Sequence, residues 1–333
     1  MWSLLRRREH RPRRDFSEAR RVSVRDLILV AKRQQGHTED FQRIADLIRE
    51  RTPEIEPHVV TDRIYNAFRL GLPWRPSLIV SPLELKQLVP LRGSVCQNRL
   101  LLKSEEYKRL EAHGVPTPRW ALLSPTQQPD LTEFGPYVVQ KPDCGGRGAE
   151  VRIKRKSRVR WSPPKNVRSV KLGVTNLIIQ DFVYTGPWPV SYRVTTWFGA
   201  PLFAWKVTAS QTRRPLAERY AFRGGEDGGG VSICSSGAGC TFELCYEADV
   251  LELATRAHEA FSNFPILGVD IVRDAEHGRL YVLEANSCGH LWHFSSPTGL
   301  SIQRDNGINF AAQFGGLERA AEVLIAETLR RAA

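Results

Sequence analysis

The sequence predicts a chain of mixed class: an open parallel α/β layer followed by an α+β region rich in strands. Three observations predict it. First, apolar runs at 26–31, 58–60 and 78–81 alternate with a stretch at 39–51 in which Phe41, Ile44, Ala45, Leu47 and Ile48 recur at helical spacing. Second, a helical pattern over 99–113 stops at Gly114, just before the breaker Pro116-Thr117-Pro118. Third, the pattern beyond it turns to strands, at 137–140, 151–154, 176–182, 193–198 and 202–207.

The remaining elements follow in order. Residues 247–261 fit a helix with Leu251, Ala254, His258 and Phe261 on one side. Strands at 268–273 and 280–284 flank the polar turn at His277-Gly278, and a last helix runs over 317–330. No internal repeat is visible. Residues 224–230 (GGEDGGG) read as a flexible loop by composition.

A chain of 333 residues suggests two or three domains. With 41% apolar and 25% charged residues the balance is that of a globular protein. No apolar run approaches the ~18 residues that cross a bilayer, and the arginine-rich start lacks the apolar stretch and cleavage site of a signal peptide. The net charge is +12. Residues 6–21 hold eight arginines against Glu9, Asp15 and Glu18, which places +5 in the tail and +7 in the body. Such a tail reads first as a solvated extension and second as a nucleic-acid or ribosome contact. The +7 body suits a protein that handles phosphates. The six cysteines form no C-x-x-C pair, which predicts reduced thiols and a cytoplasmic setting.

Three segments carry chemistry. In residues 138–148 (VVQKPDCGGRG) a buried strand delivers Lys141 and then a glycine-rich loop. Glycines let backbone N–H groups approach phosphate oxygens, and a lysine adds a point charge for the same oxygens. No Gly-Lys-Ser/Thr follows, so this is not a Walker loop, and alone it would read as a hairpin. In the second segment, Glu284 and Asn286 lie two apart on a strand and share a face. Pairing with the strand at 268–273 adds Asp270. Two carboxylates and an amide oxygen form an all-oxygen set that suits magnesium. The third segment, Leu177 to Val183 followed by Arg193, is an apolar strand that turns polar at its end, and by itself reads as a core strand.

In this order, over residues 95–295, the segments resemble the ATP-grasp superfamily, closest to its glutathione-synthetase-like and ribosomal-protein-glutamate-ligase-like branches. The resemblance implies two α+β subdomains gripping ATP behind an N-terminal α/β domain. It divides the chain into a basic tail (1–22), the N-terminal domain (23–97), a small subdomain with the glycine loop (98–182) and a C-terminal subdomain with the metal site (183–333). It implies that Lys141 contacts the α- and β-phosphates and that Gly145, Gly146 and Gly148 form a mobile cover. Gln180 and Val183 stand at the hinge whose backbone bonds adenine. Arg193, aided by Lys206, faces the γ-phosphate and acyl phosphate. Asp270, Glu284 and Asn286 resemble the ligands of Mg²⁺, with Mn²⁺ as a substitute.

Two positions depart from the family pattern. Residues 184–192 (YTGPWPVSY) lack the acid that bonds the ribose hydroxyls. The helix before the Pro-Thr-Pro turn opens without the usual Asp-Lys, leaving Arg99 or Lys103 for its phosphate contact. The implied activity is ATP-dependent ligation of a small-molecule or peptide carboxylate to an amine, giving ADP and phosphate. A kinase on the same scaffold and a nucleotide-binding regulator without turnover are the alternatives. On the substrate side, His290 and His293 read as a pocket wall rather than a metal pair. Cys144 and Cys288 border the site without a covalent role.

Overall fold

The computed structural model describes residues 24–31, 37–61, 75–85, 92–146, 148–211, 215–222 and 239–332. The arginine-rich tail and the glycine-rich stretch 224–230 lie outside them.

The first sheet is built from β1 (Arg25–Ala31), β2 (Ile55–Thr61), β3 (Ser77–Ser81) and β4 (Gly93–Gln97), in the order β2-β1-β3-β4. All its pairings are parallel. Helix α1 (His37–Arg51) connects β1 to β2 and buries Phe41, Ile44 and Ile48 against it. Strand β1 is buried along nearly its whole length, as strands covered on both faces are.

Helix α2 (Lys103–Ala112) leads into a four-stranded antiparallel sheet of β5 (Trp120–Leu123), β6 (Tyr137–Pro142), β7 (Arg152–Arg155) and β8 (Leu177–Asp181), in the order β5-β8-β6-β7. The short helix α3 (Val167–Leu172) lies between β7 and β8 in the chain. The sequence pattern started α2 at 99, but residues 98–102 are not helical. Asn98 explains why. Its amide donates to the carbonyls of Ile266 (2.7 Å) and Ser287 (2.6 Å), and the Arg99 carbonyl accepts from Ser287 Oγ, which pins the link in place. Leu102 has no cap to offer the helix. Asp143 caps it from the end of β6, accepting from Ser104 N (2.8 Å) and Ser104 Oγ (2.9 Å).

The third sheet is antiparallel: β9 (Val190–Trp197), β10 (Ala200–Thr208), β11 (Thr241–Leu244), β12 (Ile266–Arg273) and β13 (Leu280–Asn286), in the order β11-β10-β9-β12-β13. Its outer face, with Tyr192, Val194, Ala204, Val269 and Ile271, packs against α2 and α4 (Ala248–Glu259). Helices α5 (Pro297–Asn306), α6 (Phe310–Phe314) and α7 (Gly316–Arg331) complete the chain. Leu324 and Ala321 of α7 share one core with Leu27 and Phe41 of the parallel layer and with Phe203 and Trp205 of this sheet. The C-terminal helix thus ties the first and third sheets together. Among the described residues no helix is long and apolar enough to cross a membrane.

Candidate active site

Four strands of the large sheet place one residue each in a single row: Trp205 pairs with Arg193, Arg193 with Asp270, and Asp270 with Glu284. Register partners share a face, so the row presents an arginine between an aromatic ring and two acids. Arg193 donates to both Asp270 oxygens, from Nε (2.7 Å) and Nη2 (2.6 Å). Gly268 lies beside it: a Cβ there would meet the guanidinium carbon at an ordinary 3.8 Å and press on Leu291 Cδ2 at 3.1 Å. Asn286 gives its amide N–H groups to Asp270 Oδ2 (2.8 Å) and the Gly268 carbonyl (3.2 Å), so Oδ1 remains as the amide's acceptor.

Facing this row is one side of the small sheet. Val139 and Lys141 of β6 and Gln180 of β8 line a cavity of about 260 Å³ together with Arg193, Asp270, Glu284 and Asn286. Gly145, Gly146 and Gly148 line it too, as do Val183, Thr185 and Ser191 beyond β8. Arg147 lies outside the described residues. All the expected site residues but one therefore meet in one pocket.

The exception is Lys206. Its neighbours Trp205 and Val207 line the pocket, and it does not. Lys206 pairs with Tyr192 and Glu243, on the face turned to α4. A strand alternates its faces, so the partner of Arg193 is Trp205, and Lys206 cannot aid Arg193 from the opposite side. The histidines also stand elsewhere. His290 is exposed, and His293 is buried edge-on against Trp205 and Phe203, beside Ser296 Oγ. Of Arg99 and Lys103, Lys103 lines the pocket and Arg99 is exposed.

Helix α2 supplies two residues that the sequence pattern had not singled out, Glu106 and Tyr107, alongside Lys103. Lys103, Glu106 and Tyr107 recur at i, i+3 and i+4 and are all buried. Lys103 Nζ is ion-paired to Glu284 Oε1. Tyr107 OH accepts from Lys141 Nζ (2.8 Å) and lies 2.8 Å from both Gln180 Oε1 and the Leu283 carbonyl, either of which takes its proton. Burial sets the electrostatics. It pushes the Glu106 carboxyl up to about 8, with the neighbouring Glu284 charge adding to the rise. It pulls Lys141 down to about 8, helped by the Lys103 ammonium. Burial also works against the ionised Glu284, but Lys103 and then Lys141 outweigh it and hold that carboxyl below its usual range. Of the two neighbouring glutamates, Glu284 is the charged one.

The pocket's donor set fits a divalent cation. Asp270 and Glu284 are register partners, Asn286 leaves an oxygen available, and all three are the oxygen donors that Mg²⁺ and Mn²⁺ prefer. A second carboxylate group, Asp274, Glu276 and His277, sits at the turn between β12 and β13. There Arg219 already binds Asp274 through both oxygens and Glu276 through one, so both carboxylates are engaged within the chain.

Residues 102–288, more than half of the chain, match the family model for the ATP-grasp domain. The chain belongs to the ATP-grasp family. A solved structure agrees on the fold. The ATP-grasp ligase PsnB, complexed with minimal precursor, aligns over 91% of this chain and 98% of its own with a TM-score of 0.51 at 16% identity. The D-alanine–D-alanine ligase of Bacillus anthracis aligns over 92% and 97%, with a TM-score of 0.44 at 14% identity. At 16% identity the likeness to PsnB is one of fold. Comparison with curated proteins found no match. In ATP-grasp terms, the cavity lies between the two antiparallel sheets, with the glycine loop on one wall and the acidic row on the other.

Proposed function

We propose that this ATP-grasp chain is an ADP-forming ligase that joins a carboxylate to an amine through an acyl phosphate. The observation that carries the reading is the cavity itself. Three cations (Lys103, Lys141, Arg193) and an all-oxygen set (Asp270, Glu284, Asn286) line one cavity beneath a glycine-rich loop. A site for triphosphate and divalent cation needs both kinds of group.

A carboxylate does not react with an amine at neutral pH, because its leaving group would be an oxide. Phosphoryl transfer from ATP turns that oxygen into phosphate, which departs readily. Backbone N–H groups of 145–148 approach the phosphates without Cβ interference. Lys141 and Lys103 add positive charge from the buried side, where water screens it little. Arg193, fixed by Asp270, offers a preorganised guanidinium to the acyl phosphate and to the oxyanion that forms when the amine attacks. Closure of the loop excludes the water that would hydrolyse the intermediate. Asp270, Glu284 and Asn286 would hold a divalent cation, which when bound neutralises charge between the β- and γ-phosphates. Adenine is assigned to the backbone at Gln180–Val183. PsnB has been solved with Mg and ADP bound alongside its minimal precursor, which supports carrying these ligands over.

The test is a screen of amino acids and short peptides for stimulated ADP release, followed by ¹⁸O transfer from a labelled carboxylate into phosphate. Labelled phosphate with ADP is expected. AMP and pyrophosphate would sink the acyl-phosphate route. ADP with a stable phosphorylated alcohol and no free phosphate would make the protein a kinase.

A further inference from the structure

Between Glu150 and Asp181 the chain has no carboxylate, while residues 151–180 carry nine lysines and arginines. Subtracting this stretch's +9 and the tail's +5 from the total of +12 leaves −2 for everything else. The net positive charge outside the tail is thus concentrated in this one stretch of the chain.

The stretch begins with β7, the outer strand of that sheet, which has a sheet neighbour on one side only among the described residues. It then crosses the face opposite the cavity, where Val159 is buried with Val138 and Ile179. Arg160, Lys165, Arg168 and Lys171 are all exposed. Between these cations stand Val167, Val170 and Leu172, with 83%, 65% and 50% of their surface in solvent. Helix α3 is fastened to the glycine loop. Glu150 accepts from the backbone of Lys165 (2.9 Å) and Asn166 (2.8 Å), and Ser169 Oγ donates to the Cys144 carbonyl. Arg168 on α3 lines a small polar recess with Cys144, Gly145, Glu284 and Asn286. The last three also line the main cavity. The basic face therefore runs up to the mouth of the site.

We propose that an extended, acidic segment of a polypeptide partner docks across β7 and α3, leading its chain toward the recess beside Glu284 and Asn286. Charge complementarity commits the occupant to a polyanion. Three features favour a peptide over a nucleic acid. An outer strand offers backbone hydrogen bonds to an added strand. The three exposed aliphatic side chains match apolar residues of a peptide but have no use against a phosphate backbone. The one aromatic platform, Trp161, is half-buried, with its indole N–H donated to the Thr175 carbonyl (3.0 Å). That the docked polypeptide is the substrate rests on the ligase reading, whereas the docking does not.

The experiment measures fluorescence anisotropy of a labelled peptide of alternating glutamate and valine, added to the full chain without nucleotide. The chain carrying Arg160→Glu, Lys165→Glu, Arg168→Glu and Lys171→Glu should bind it at least ~10-fold more weakly, because rim charges steer and hold a charged partner. The same four changes to glutamine should give a smaller loss, and circular dichroism checks that both variants fold. The tail is common to all these chains and cancels. Unchanged peptide affinity in both variants overturns the proposal. So does tighter binding of a uridine oligonucleotide that is lost in the same variants, since the face would then serve nucleic acid. The products formed with ATP and magnesium separate docking from turnover: AMP and pyrophosphate, with peptide affinity still lost in the two variants, would sink the ADP-forming ligase reading and leave the docking surface standing.

Discussion

Arg193 and Asp270 are register partners on neighbouring strands, and the guanidinium holds both carboxylate oxygens at 2.6 and 2.7 Å. The grip is planar and two-pronged, a geometry that lysine cannot copy. Arg193→Lys keeps the charge and loses the fork. It should lower ADP formation by ~10-fold or more, and Arg193→Ala by ~10²-fold or more, the range for losing one preorganised electrostatic group. A coupled assay for ADP with a stimulating substrate measures this. Full activity in Arg193→Lys would show that charge alone suffices there.

Lys141 and Glu284 stand on opposite walls of the cavity, and the phosphate and cation assignments depend on them separately. Lys141→Ala removes a buried positive charge, and Glu284→Gln removes an anionic donor from a set that has only two carboxylates. Each should cost ~10²-fold or more in turnover. The two can be told apart by magnesium titration: Glu284→Gln should need more metal for half-maximal rate, and Lys141→Ala should not. An unchanged metal requirement in Glu284→Gln would remove that residue from the cation site.

Glu106 links the site to pH. Its folded-state value near 8 lies above the ordinary 4.5, so the folded chain holds this proton more tightly than the unfolded chain. The stabilisation is complete below about pH 4.5 and is lost as pH rises toward 8. Glutamine is neutral throughout and keeps a similar shape. The melting temperature of Glu106→Gln, relative to the unsubstituted chain, should therefore climb between about pH 5 and 8, by several degrees. Lys141 changes in a different window. Its value falls from 10.5 to about 8, so its contribution is lost as pH drops through that interval and is constant below it. Glu284, held low, matters only in acid. Thermal unfolding at a series of pH values reads the slope, and a flat difference would show that Glu106 is ionised in the folded chain.

What the sequence revealed and what it hid have physical causes. Lys141, Asp270, Glu284 and Asn286 were visible because alternation along a strand assigns a face, and these polar residues interrupt apolar runs. Lys206 was misplaced because facing depends on register between strands, which nothing local to β10 announces. The order of pairing puts Trp205, one residue earlier, opposite Arg193. Glu106 and Tyr107 were legible in principle, at i+3 and i+4 from Lys103, but starting the helix at 99 blurred that face. Asp143 as the cap of α2 left no signal, since it meets Ser104 only through the fold. The basic face was hidden by averaging: a body charge of +7 spread over the chain looks like general phosphate chemistry, whereas a window over 151–180 shows all of it in one place.

The nucleotide sugar gives the last prediction. In the proposed orientation adenine meets the backbone at 180–183, and the segment that follows, 184–192, has no carboxylate for the ribose. The pocket-lining residues of that segment with a side-chain polar atom are Thr185 and Ser191. Thr185 Oγ1 already accepts from Val190 N (3.0 Å), so it retains only its own proton and one remaining lone pair. A hydroxyl-to-hydroxyl bond is worth ~0.5–1.5 kcal/mol net, against ~1.5–3 kcal/mol when one partner is charged. Deleting the 2′-hydroxyl should accordingly cost about tenfold at most. We expect kcat/KM for dATP to fall within that range of the value for ATP, with the same stimulating substrate and saturating magnesium. A loss on the order of a hundredfold or more would place a charged group on the ribose, and would require either a different nucleotide orientation or a carboxylate reaching in from beyond the described residues.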